Sequence, residues 1–145
     1  MKRTQIREQI FKLLFRREFN SENDMPEQVK LFFENPSIEE DEINIKDVSL
    51  KSTEELYIRE KYTGIVEKIE ELDKAISSTS KGWTIDRISK VDLTILRLAI
   101  FEIKYDDEIP NNVAIDEAVE LAKKFGQDES SSFVNGILAS IAKQE

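Results

Sequence analysis

The residue types that most often carry catalysis are missing from this chain, which has neither cysteine nor histidine. That removes disulfides, thiolate nucleophiles, most zinc sites and the commonest general base together. Carboxylates are abundant, 30 against 21 basic residues. Pairs four residues apart, such as Glu67 with Glu71 or Asp116 with Glu120, therefore arise by chance and read as solvated helix faces. Four isolated glycines supply no G-x-S-x-G elbow, no phosphate loop and no G-x-G-x-x-G turn. The acidic run Glu39-Glu40-Asp41-Glu42 lacks the ligand spacing of a calcium loop. No enzyme activity, cofactor or metal is expected from these residues.

Binding chemistry remains. Residues 1–18 hold Lys2, Arg3, Arg7, Lys12, Arg16 and Arg17 against only Glu8 and Glu18, although the whole chain carries a net charge of -9. The same segment contains Phe11 and Phe15, and Phe133 stands near the C-terminus. Rings beside a cationic stripe suit single-stranded RNA, whose bases stack on aromatics while phosphates pair with Lys or Arg. The plainer alternative is a solvated basic helix face with each Phe in the core. Charge alone leaves both readings open.

The elements that must position these residues are helices. Three prolines and four glycines are too few for a sheet fold with many tight turns, and apolar residues recur at three- and four-residue steps. The pattern predicts an all-α protein of about seven helices. The first covers 4–19, with Ile6, Ile10, Leu13 and Leu14 inward and its basic residues largely on the other side. A short second helix carries Pro26 in its first turn and ends at Asn35-Pro36. An acidic connection fills 37–51. A long third helix starts at Ser52 or Thr53 and runs to Ile76, followed by a loop over 77–82 and a short helix or turn at Trp83 and Ile85.

Residues 91–105, VDLTILRLAIFEIKY, are apolar on nearly every side and predict a central helix. Within it Arg97 requires a carboxylate or carbonyl partner. A sixth helix spans 113–125, with Gly126 expected as a left-handed cap. The last starts at Ser130 or Ser131 and buries Val134, Ile137, Leu138 and Ile141, Gly136 allowing close approach of another backbone. The N-terminus is charged from Lys2 onward, and no apolar run approaches the roughly 20 residues of a membrane span. A cytoplasmic protein folded as one domain over 1–145 is expected.

Three ordered blocks are specific. W-T-I-D-R-I-S-K-V-D-L-T-I-L-R-L-A-I-F-E-I (83–103), I-P-N-N-V-A-I-D-E-A-V-E-L-A-K-K-F-G (109–126) and F-V-N-G-I-L (133–138) resemble the NusB family, and I-R-E-Q-I-F-K-L-L-F (6–15) matches it more loosely. The resemblance implies two packed helical subdomains and a non-catalytic transcription antitermination factor. It implies a heterodimer with NusE, a small-subunit ribosomal protein, that binds boxA single-stranded RNA in nascent ribosomal or phage transcripts within the RNA polymerase antitermination complex. It also leaves room for a homodimer of the free protein.

Carried over by position, the RNA-binding residues are Lys2, Arg3, Arg7, Phe15 and Phe133, and Lys12 joins them from the same basic helix. The partner-binding segment falls on Trp83, Arg87, Lys90 and Asp92, the last three expected to be exposed. Thr4, Gln5 and Ile6 stand where the family shows a denser run of arginines, so RNA binding should lean on the partner. The chain is too short for the related methyltransferase fusions. An acidic, purely protein-binding adaptor is the alternative from another class, and salt-sensitive RNA binding separates the two.

Overall fold

Helical periodicity is realised as helices throughout the computed structural model, which describes residues 1–34, 51–80 and 84–144. These residues form seven α-helices, two short 3-10 turns and no strand. They divide into two compact units, Met1–Gly64 and Ile65–Glu145. Trp83 and nearly all of the acidic connection expected over 37–51 lie outside the described residues.

The first unit contains α1 (Arg3–Phe15), a 3-10 turn (Arg16–Glu18), α2 (Met25–Glu34) and most of α3 (Ser52–Glu67). Ile10, Phe11, Leu13, Leu14, Met25, Phe32 and Ile58 are buried there. Removing each such side chain from water contributes roughly 1.5–3 kcal/mol before the entropy of ordering it. The turn after α1 packs on α2. There the Arg16 guanidinium lies over the Phe32 ring, 5.3 Å from its centroid, and donates to the Gln28 carbonyl and Oε1 at 3.2 Å each.

The second unit is built around α5 (Lys90–Tyr105), which packs against α4 (Ile69–Thr79), α6 (Asn111–Phe125) and α7 (Ser130–Gln144). Nine of its sixteen residues are buried, as its apolar circumference requires. On α6 the buried Ala114, Ala118 and Ala122 stand four residues apart, a strip of small side chains that lets neighbouring helices approach. Ser89 caps α5 by accepting from the Asp92 N–H at 3.1 Å. Arg97 finds the partner its position demanded, the Asp73 carboxylate of α4, through Nε and Nη2 at 2.9 Å each.

Several boundaries differ from the sequence expectation. The first helix gives way to the 3-10 turn after Phe15. The long third helix is interrupted at Lys68, whose N–H bonds to the Ile65 carbonyl three residues back. Gly64 and the β-branched residues Thr63, Ile65 and Val66, all weaker helix formers, precede the break. Its second half, α4, runs on to Thr79, so Ser77, Ser78 and Thr79 are helical. The short helix or turn expected at Ile85 is present, as the 3-10 turn Ile85–Arg87. Ser52 is the first residue of α3 rather than its cap, and the Lys51 N–H donates to Glu54 Oε1 at 2.9 Å.

Both glycine expectations change. Gly126 has φ -90 and ψ -169, extended rather than left-handed. It is needed for space, since a Cβ there would lie 2.5 Å from Ser130 Oγ and 2.7 Å from the Ala122 carbonyl oxygen. Among the described residues nothing lies within 4 Å of where a Gly136 Cβ would stand, so its missing side chain makes room for no neighbour there.

Candidate nucleic-acid interface

In the first unit, α1 carries the basic residues singled out by the sequence. Lys2 and Arg3 are exposed at its start, where the Lys2 N–H donates to Gln5 Oε1 at 2.9 Å. Arg7 is different. It was expected on the outer face but is buried, with 8% of its surface accessible. Spacing explains this, because Arg7 shares a face with Ile10, Phe11 and Leu14 at steps of three, four and seven residues. Lys12 is partly buried and pairs with the buried Glu8 one turn back, Nζ to Oε1 3.2 Å. The basic stripe thus offers its open cations at the N-terminal end.

Three rings follow one another along this segment at four-residue steps. Phe11 and Phe15 stack with centroids 5.7 Å apart and planes at 15°, and Phe15 meets Phe19 edge-on at 5.0 Å and 81°. Phe11 belongs to the core, Phe15 is half-buried, and Phe19 has 63% of its surface exposed. The sequence reading passed over Phe19, although its place four residues beyond Phe15 was the available signal. Nearby, burial raises the Tyr62 phenol above its ordinary value of 10.0, against the opposing pull of the Arg17 charge.

In the second unit, Phe133 is half-buried on the first turn of α7. Ser130 begins that helix, buried, its Oγ accepting from the Gln127 N–H at 2.9 Å. Of the expected partner-binding residues, Arg87 and Lys90 are exposed at the 3-10 turn and the start of α5. Asp92 is not exposed, as had been expected, but 8% accessible, and its Oδ1 has no hydrogen-bond partner among the described residues. Asp92 is the third residue of α5, where a carboxylate meets the favourable end of the helix dipole. Trp83 lies outside the described residues.

This helical frame has close counterparts. The family model described as NusB family matches residues 4–143. The chain belongs to the NusB family. The transcription antitermination protein NusB of Agathobacter rectalis is 47% identical over 142 residues, covering 98% of this chain and all of that protein. Among solved structures, NusB of T. maritima superposes with a TM-score of 0.81 at 33% identity, covering 100% of this chain and 93% of that one. A chain from the crystal structure of antitermination factors NusB and NusE in complex with dsRNA gives a TM-score of 0.78 at 26% identity, covering 99% of this chain and 97% of that one. The all-α NusB fold is therefore this chain's fold, and among the described residues no helix is long and apolar enough to cross a membrane.

Proposed function

We propose that this chain is a transcription antitermination factor that binds boxA single-stranded RNA in nascent ribosomal RNA transcripts together with NusE, within the RNA polymerase antitermination complex. The observation that carries this is the near full-length likeness to a chain from the NusB, NusE and dsRNA complex. The exposed cations and half-buried ring on α1 support it.

In this reading Lys2 and Arg3 pair with phosphates, and Phe15 and Phe133 stack on bases. Lys12 reaches a phosphate by releasing Glu8, and Arg7 acts from within, fixing the start of α1. Arg87 on the 3-10 turn and Lys90 at the start of α5 meet NusE together with Trp83, while Asp92 shapes the beginning of α5. The assembly has no covalent step. Binding is a sum of ion pairing, stacking and partner surface.

The test is a fluorescence-anisotropy titration of boxA-containing single-stranded RNA at two salt concentrations, with scrambled RNA as control, with and without NusE. With Lys2, Arg3 and Lys12 on phosphates, the logarithmic salt slope of the chain alone should be only about -2. Tighter, sequence-dependent binding on adding NusE is the expected result. Absence of RNA binding in every condition, with helices intact by circular dichroism, would leave a protein-binding adaptor.

A further inference from the structure

We infer that Glu54 of α3 is a positioning residue for the start of α1, holding the backbone under Lys2 and Arg3 so that both meet phosphate; this rests on the RNA-binding reading above. The first turn of a helix has N–H groups with no partner inside the helix, and its end frays unless something holds it. At the start of α1 two side chains do. Gln5 Oε1 accepts from the Lys2 N–H at 2.9 Å, which closes the helix on itself. Glu54 ties it to a second helix: its Oε2 lies 2.9 Å from the Met1 nitrogen, while its Oε1 accepts from the Lys51 N–H at 2.9 Å. One carboxylate thus serves two donors, one from the residue before α3 and one from the residue before Lys2. The Met1 and Glu54 side chains are 5% and 13% exposed, so water screens this contact less than a surface pair.

Lys2 and Arg3, the next two residues, are exposed. Their side chains stay open to a ligand while the backbone beneath them is held. A cation on ordered backbone loses less conformational freedom when it pairs with a phosphate. Charge works the other way. Glu54 is an acid held one residue from Lys2 through Met1, and by its charge alone it opposes RNA. Removing it should tighten RNA binding if it acts through charge, and weaken binding if it acts through position.

The experiment titrates boxA RNA, with NusE present, against the full chain with nothing added before Met1. Glu54→Ala should weaken binding by about five- to tenfold, and Glu54→Gln, which has one accepting oxygen for two donors, by a smaller factor. Glu55→Gln removes a charge from the same turn of α3, where Glu55 pairs with Arg59, and should not weaken binding. In a chain already carrying Lys2→Ala and Arg3→Ala, Glu54→Ala should cost no further affinity, because the side chains it positions are gone. A general loss of structure would instead lower affinity equally in both backgrounds. Circular-dichroism melts set a temperature at which every variant is folded. Native or tighter RNA binding by both Glu54 variants, or equal losses in the two backgrounds, would overturn the role of Glu54 and leave the RNA-binding reading standing. Failure of the native chain itself to bind would sink both.

Discussion

Arg97 of α5 and Asp73 of α4 form a two-pronged ion pair, Nε to Oδ1 and Nη2 to Oδ2 both at 2.9 Å, with side chains 14% and 24% exposed. The planar guanidinium matches the carboxylate in a way an ammonium cannot. Arg97→Lys should therefore cost about 1–2 kcal/mol, and Asp73→Ala, which strands the cation, about 2–3 kcal/mol, less than for a fully buried pair because water reaches both groups. Urea denaturation of both variants and the native chain measures the difference. Equal stability of all three would mean that the pair contributes nothing net.

Gly126 and Gly136 should respond oppositely to alanine. At Gly126 the new methyl meets Ser130 and the Ala122 carbonyl well inside contact distance, so Gly126→Ala should destabilise by about 1–3 kcal/mol as α6 and α7 shift apart. At Gly136, mid-helix with open space around it, alanine should stabilise by up to about 1 kcal/mol. Melting temperatures of the two variants moving in the same direction would contradict this.

Charge reversal should separate Arg3 from Arg7. Arg3→Glu, at an exposed position, should weaken RNA binding and leave the melting temperature within a few degrees of native. Arg7→Glu puts an anion into an enclosed site and should destabilise by about 2–4 kcal/mol, so any loss of RNA binding follows loss of the first unit. Circular-dichroism melts beside the anisotropy titrations resolve the two effects.

Glu71 should titrate below its ordinary value near 4.5, because the Tyr105 hydroxyl donates to its carboxylate and Lys68 lies close by. A carboxylate depressed in the folded state contributes stability that is present above its unfolded-state pKa and is lost as pH falls through the folded one. The contribution of this exposed group should fade in the acid range below about pH 4.5. Tyr105→Phe should move the Glu71 titration upward, read by NMR of the side-chain carboxyl carbon. An unchanged midpoint would show that the hydroxyl does not hold the charge.

Much of the site frame was legible beforehand because it rests on local patterns. The apolar circumference of 91–105 marked α5 as central, and Arg97 inside it called for a carboxylate or carbonyl partner before Asp73 was known. The charge asymmetry of residues 1–18 pointed to α1. Other features depended on how neighbours fill space. Arg7 and Lys12 were read alike as basic surface, yet one is buried and the other tied to Glu8. Phe15 and Phe19 have the same residue type, yet only their surroundings make one half-buried and the other a surface ring.

By itself, the sequence determined the helical class, the central helix, the need for an Arg97 partner and, through three ordered motif blocks, the family. These follow from periodicity, composition and motif order, which are properties of a one-dimensional string. The tertiary structure decided that Asp92 is enclosed, that Gly126 serves close packing and not a left-handed turn, and that Phe19 stays largely exposed while its ring meets Phe15. Each of these depends on the space around a side chain, and that space is shaped by residues from more than one turn or helix, which spacing along the chain does not encode.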